Sequence, residues 1–220
     1  MDGARQFDLV VFDWDGTLMD SAAAIVASVQ GACADLGLEV PPDEAARYII
    51  GLGLAEAMRY LLPSLEPRRY GELVERYREH YLVRDREITL FAGADELVRR
   101  MHASGILLAV ATGKSRRGLD RALSLTGLGA YFHASRCADE TKSKPDPAML
   151  LEIIGQLGAD PVRTLMVGDT VHDLEMARSA GVAAVAVTYG AHPRDALAAA
   201  RPRACVASLA ELRAWIETHG

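Results

Sequence analysis

The sequence predicts an α/β fold in which a doubly wound parallel sheet carries an inserted α-helical domain. Three observations lead there. From about Gly93 onward, apolar runs rich in Val, Ile, Leu and Ala alternate with segments of helical periodicity, the pattern of a parallel α/β sheet. Those runs lack interleaved polar residues, as expected of strands covered by helices on both faces. Between Asp20 and Glu87 the pattern changes, and helical periodicities follow one another without a convincing strand.

Taken in order, Phe7 to Phe12 gives the first strand, and it ends directly in the polar sequence Asp13-Trp14-Asp15-Gly16-Thr17. The helical insertion follows, broken at Pro41-Pro42, Gly51-Leu52-Gly53 and Pro63, with Pro42-Asp43 starting one helix and Pro67 suited to the first turn of another. Further strands are expected at Ile106 to Ala111, Thr164 to Val167 and Val182 to Val187, with a short final one at Ala204 to Val206. This divides the chain into a core of residues 1–19 and 88–220 and a helical unit of residues 20–87. There is no internal repeat and no low-complexity segment.

The bulk properties bound the function. The chain has 220 residues, half of them hydrophobic and a quarter charged, enough for one generous domain or a core with a smaller insertion. Net charge is −6 and the arginines occur as scattered pairs, such as Arg68-Arg69 and Arg116-Arg117, which disfavours nucleic-acid binding. Cys33, Cys137 and Cys205 are too far apart to suggest a zinc cluster or a disulfide framework. Met1 to Asp8 lacks the basic-then-apolar pattern of a leader, and no apolar run approaches the ~20 residues that span a bilayer. A cytoplasmic protein is expected, as a monomer or weak homodimer.

Four polar clusters sit where strands end, the edge at which open α/β sheets bind ligands. In Asp13-x-Asp15-Gly16-Thr17 the chain lies beyond its strand, and Gly16 permits a turn that brings both carboxylates to one side. One carboxylate can then serve as nucleophile and the other as proton shuttle. The plainer reading is an Asp-Gly turn with solvated acids. Gly168-Asp169-Thr170-Val171-His172-Asp173 also follows an apolar run and opens a helix reaching about Ser179. Its acids suit a hard cation such as Mg2+ together with Asp13, or else simple helix capping. His172, in the helix's first turn, reads as a surface or packing residue, and His192-Pro193 as a loop near another strand end.

Thr112-Gly113-Lys114-Ser115 ends a strand and starts a helix, which offers a hydroxyl and free N–H groups to a phosphate. It is no P-loop, because Leu108 stands where that motif needs its first glycine. Thr112 as a helix cap, with Lys114 in solvent, is the competing possibility. Finally, Lys142-Ser143-Lys144-Pro145-Asp146-Pro147 is a polar loop holding two of the chain's three lysines; the third is Lys114. A lysine point charge suits a transferring phosphoryl group, although a loop lysine is more often merely exposed.

Together, and in this order, the four clusters resemble the motifs of the haloacid dehalogenase superfamily, and more closely its phosphoglycolate-phosphatase-like branch. The likeness spans nearly the whole chain. It implies a Rossmann-like core, with the helical insertion as a cap, and hydrolysis of a small phosphorylated metabolite such as phosphoglycolate or a sugar phosphate, with Mg2+ as cofactor. By the same resemblance Asp13 is the nucleophile that forms an aspartyl-phosphate, and Asp15 is the general acid and then base. Trp14, through its backbone N–H, Thr112 and Gly113 would hold the phosphoryl oxygens, and Lys144 would neutralise charge. Asp13, the backbone carbonyl of Asp15, and Asp169 would bind the metal, with Asp173 in support. Arg47, Tyr48, Leu52 and Arg59, around the Gly51-Leu52-Gly53 break, are candidates for substrate selection.

Residues discriminate among the superfamily's reactions. Its dehalogenases lack the second aspartate that is present here as Asp15, and its phosphonatases use a cap lysine, whereas Asp20 to Glu87 contains none. A sugar-phosphate mutase uses the same aspartate pair and is the main alternative. A catalytically silent binding protein on the same fold is the other.

Overall fold

The computed structural model describes residues 6–219. The start of the N-terminal stretch read above for a leader pattern lies outside them. In chain order the elements are β1 (Leu9–Phe12), α1 (Ala22–Asp35), α2 (Asp43–Tyr48), α3 (Leu54–Leu61), α4 (Tyr70–Arg84), α5 (Ala94–Ala103), β2 (Leu107–Thr112), α6 (Arg116–Thr126) and β3 (Ala134–Cys137). Then come α7 (Ala148–Leu157), β4 (Thr164–Gly168), α8 (Val171–Ser179), β5 (Ala183–Val187), α9 (Arg194–Ala199), β6 (Ala204–Val206) and α10 (Leu209–His219).

The six strands form one parallel sheet in the order β3-β2-β1-β4-β5-β6. β1 lies between β2 and β4, with Val10 opposite both Leu108 and Leu165. Because side chains alternate across a strand, Val10, Phe12, Leu108 and Val110 face one core, which α5, α6 and α10 cover through Leu97, Leu119 and Leu212. Leu9, Val11, Ala109 and Ala111 face the other, under Met149 and Ile153 of α7 and Leu174 of α8. Both faces are therefore dry, which is why these strands read as unbroken apolar runs.

The expected strands are present with shifted ends: pairing in the first begins at Leu9, not Phe7, and the second runs on to Thr112. β3 was not expected. Its sequence, Ala-Ser-Arg-Cys, carries two polar, partly exposed residues at a sheet edge and so lacks the apolar signature of its neighbours. No helix of the described residues is long and apolar enough to cross a membrane.

Residues 22–84 contain helices only and have an apolar cluster of their own, in which Val29, Ala32 and Cys33 of α1 pack with Met58 of α3 and Leu73 of α4. Gly31 lets α4 lie close to α1, since a Cβ there would meet the His80 ring at 2.7 Å. The chain leaves the sheet and returns to it through adjacent segments. The Asp20 N–H donates to Thr89 O at 2.9 Å, and the Phe91 N–H to Leu18 O at 2.9 Å.

Leu108 is fully buried in the centre of the sheet. Leu108→Ala is expected to lower the unfolding free energy by about 2–5 kcal/mol, the usual range for a truncated core leucine, as measured by urea denaturation.

Candidate active site

Since β2, β1 and β4 are neighbours, their carboxyl ends bring Thr112, Asp13 and Asp169 together at the point where strand order reverses. After β1 the Asp13 N–H still bonds Val167 O at 2.9 Å, and the chain then curls around the Trp14 carbonyl, which accepts from the N–H groups of Leu18 and Met19 at 3.1 and 3.0 Å. Gly16, at φ +84°, makes this curl possible. The Trp14 side chain is buried, edge-on to Phe132.

Lys144 is the organising cation. Its side chain is fully buried, and its ammonium lies 2.6 Å from Asp13 Oδ1 and 2.7 Å from Asp173 Oδ1. Asp173 is fixed from behind by a capping box: its Oδ2 accepts from the Thr170 N–H at 3.1 Å and hydroxyl at 2.7 Å. Asp169 is held in the same manner, accepting from the Thr17 hydroxyl at 2.9 Å and the Ala191 N–H at 2.7 Å. Glycines make room for it on two sides, because a Cβ on either Gly16 or Gly190 would come within 2.2 Å of Asp169 Oδ2.

Three buried carboxylates, Asp13, Asp169 and Asp173, each offer an oxygen within 4.8 Å of the others. With Lys144 as the sole buried ammonium among them, two of the three carboxylates have no countercharge when ionised. Burial, opposed by Lys144 and reinforced by Asp173 and Asp169, holds the Asp13 carboxyl well above the usual range. Burial and Asp173 likewise push Asp169 up to about 7, against the Ala191 N–H and Thr17 hydroxyl that favour its anion. Asp13 Oδ2 is buried with no hydrogen-bond partner. Hard oxygen donors, a two-charge deficit and an orphaned carboxylate oxygen fit a divalent cation.

Asp15 stands apart from this cluster and lines a cavity of about 810 Å³. Its Oδ1 accepts from the Ser21 hydroxyl at 2.6 Å and lies 3.1 Å from Lys114 Nζ. Thr112 and Gly113 line the same cavity from β2. The inserted helices close over it. A Cβ on Gly113 would lie 2.4 Å from Leu52 O, and the Gly53 N–H donates to Ser143 Oγ at 2.7 Å, so the Gly51-Leu52-Gly53 turn rests on two of the motif loops.

Among the residues considered for substrate selection, Leu52 and Arg59 line the cavity. Tyr48 instead stacks on His192, at 5.3 Å between ring centroids, and its carbonyl takes bonds from Nε2 of His172 and of His192, at 2.8 and 3.0 Å. Both histidines are buried and clasp α2 to the sheet. The alternative in which Thr112 caps α6 and Lys114 lies in solvent does not hold, because Ser115 is the N-cap, accepting from the Gly118 N–H, and Lys114 is mostly buried. Lys114 lines the same cavity as Thr112 and Gly113, where besides Asp15 it contacts the Tyr81 hydroxyl at 2.9 Å. Ser21 and Tyr81 were not expected at the site, and Thr17 and Thr170, though inside the motifs, had no role assigned to them. Two signals were available: the Thr170-x-x-Asp173 spacing of a capping box, and the spacing of Tyr77 and Tyr81, which puts both on one face of α4.

Fold and site define a hydrolase of known type: the chain belongs to the haloacid dehalogenase-like hydrolase family, whose model matches residues 10–187. It is 39% identical over 210 residues to a protein of Dickeya dadantii named Probable phosphatase IndB, covering 93% of this chain and 91% of that one. It is 36% identical over 194 residues to N-acetylmuramic acid 6-phosphate phosphatase of Pseudomonas aeruginosa, covering 84% of each. The fold is that of a solved hydrolase from Pseudomonas syringae, with a TM-score of 0.88 at 21% identity over 96% of this chain and 98% of the other.

The carboxylate cluster yields a prediction that does not depend on turnover. In chelator-treated protein, Mg2+ at a hundredfold excess over its Kd is expected to stabilise the fold by about 2.7 kcal/mol. Scanning calorimetry should register this as a raised Tm, and Asp169→Asn should remove most of the rise. A melting curve indifferent to Mg2+ would count against the site.

Proposed function

We propose that this chain is a Mg2+-dependent phosphatase that hydrolyses a small phosphate monoester through an aspartyl-phosphate on Asp13. The observation that carries the reading is the placement of Asp13 at a cavity wall, with Lys144 against one of its oxygens and Asp15 on the same wall. A carboxylate attacking a phosphate dianion must overcome charge repulsion, and a buried ammonium beside the nucleophile lowers that barrier.

In this mechanism an Asp13 carboxylate oxygen attacks phosphorus and the ester P–O bond breaks. The leaving alkoxide takes the proton of the Asp15 carboxyl. Water then attacks phosphorus and gives its proton to the Asp15 carboxylate, the bond between Asp13 and phosphorus breaks, and inorganic phosphate departs. Asp15 ends as it began, so the cycle balances. The hydroxyl of Thr112 and the N–H groups of Trp14 and Gly113 hold the phosphoryl oxygens. Asp13, Asp169 and the backbone carbonyl of Asp15 would bind Mg2+, with Asp173 keeping Lys144 in place; the ion would screen the charge shared by nucleophile and phosphoryl group.

Residues 20–87 act as a cap over a core of residues 1–19 and 88–220, and closure excludes water while the first step proceeds. The cavity volume falls in the range that accommodates drug-sized ligands, which leaves room for a sugar-sized leaving group. The N-acetylmuramic acid 6-phosphate phosphatase of Pseudomonas aeruginosa points to the same size class. The enzyme would work in the cytoplasm, as a monomer or weak homodimer.

The test is phosphate release from a panel of phosphate esters, ranked by kcat/KM with and without Mg2+. Asp13→Asn should reduce turnover to background. Asp15→Asn should cost about 10²–10⁴-fold, the range of a lost general acid or base. With 4-nitrophenyl phosphate, whose leaving group needs no proton, Asp15→Asn should accumulate a hydroxylamine-sensitive phosphoryl adduct visible by intact mass. Ordinary activity in Asp13→Asn would refute the nucleophile.

A further inference from the structure

Lys114 joins the helical unit to the carboxylate that moves protons. Its Nζ lies 3.1 Å from Asp15 Oδ1 and 2.9 Å from the hydroxyl of Tyr81 on α4, with the Tyr81 ring centroid 4.6 Å away. Tyr77, one turn earlier, stacks on Tyr81 at 5.9 Å between centroids. The Ser21 hydroxyl, which donates at 2.6 Å, and the Lys114 ammonium, which forms an ion pair, converge on Asp15 Oδ1, whereas no hydrogen bond among the described residues engages Oδ2. One oxygen is pinned and the carboxylate plane is set, which leaves the other oxygen for proton transfer.

Each partner comes from a different part of the chain. Asp15 follows β1, Lys114 follows β2, and Tyr81 belongs to the inserted helices. The three can meet only while α4 lies against the ends of the strands. Ser21 sits in the segment through which the chain leaves the sheet, so movement of the helices would disturb both contacts of Oδ1.

We propose that Lys114 and Tyr81 are positioning residues that orient Asp15 only when the helical unit is seated on the sheet, tying proton transfer to closure. The proposal rests on the assignment of Asp15 as general acid and base. Lys114 acts through Asp15, in contrast to Lys144, which lies against the nucleophile.

The test compares Lys114→Met and Tyr81→Phe with the wild type on two substrates, the best alkyl phosphate of the panel and 4-nitrophenyl phosphate. kcat/KM reports the steps up to departure of the leaving group. Loss of a positioned acid should lower the alkyl value about tenfold or more, part of the 10²–10⁴ that general acid catalysis supplies, and the aryl value less than about threefold. The competitive inhibition constant of inorganic phosphate should stay unchanged. Equal losses on both substrates, or weakened phosphate inhibition, would overturn the proposal and make Lys114 a structural residue or a phosphate ligand. Hydrogen exchange supplies a readout without turnover: α4 should exchange faster in Lys114→Met, and unaltered protection would overturn the tie. Should the wild type hydrolyse no phosphate ester, the proposed function falls, and the exchange measurement still decides whether Lys114 holds α4.

Discussion

The contact on which the rest of the site depends is the buried ammonium of Lys144 between Asp13 and Asp173. An unpaired ion at that depth would be costly, so the lysine requires both carboxylates and they require it. Much of the surrounding structure serves to place these charges. Thr170 caps α8 and fixes Asp173, the Lys144 loop comes just before α7, and the curl around the Trp14 carbonyl sets Asp13 at the end of β1. Stability and chemistry pull in opposite directions here, because three carboxylates crowded around one ammonium repel each other in the resting protein.

The sheet resolves this by distributing the acids over different elements. Asp13 and Asp169 come from adjacent strands β1 and β4, and Asp173 from the helix that follows, so the backbone already fixes their separation before any side chain is chosen. The nearby glycines have a matching purpose. Gly16 and Gly190 leave space for Asp169, and Gly168 leaves space for Asp173, whose Cβ would lie 2.4 Å from an added methyl. Cradling a carboxylate with backbone on several sides restricts its rotamer more tightly than hydrogen bonds alone.

The parallel core was legible because strands buried on both faces have little choice of residue, as Val10, Leu108 and Leu165 show. The acids of the site were legible for a related reason, since Asp at the end of an apolar run has no packing purpose. What escaped was everything defined by meeting across the chain. β3 was hidden because an edge strand tolerates Ser135 and Arg136. Ser21 resembles any residue preceding a helix, and its hydroxyl matters only because Asp15 turns back towards it. Lys114 was ambiguous for the same reason, as its surroundings are set by α4, which departs from the sheet long before β2 begins. The two histidines that clasp Tyr48 show the limit most plainly: each was assigned an ordinary role, and only in space do they share one carbonyl.

The adjacent exit and return segments at Asp20 and Thr89 have a bearing on how the molecule assembles and diversifies. Leu9 pairs with Leu107, so a large stretch of chain separates two neighbouring strands, and closing so long a loop from a disordered chain is entropically unfavourable. Once α1 packs on α4 the ends of that stretch are already side by side, and the sheet sees in effect a short connection. A segment held at a single narrow neck can exchange residues, or whole helices, without shifting the register of β1 against β2.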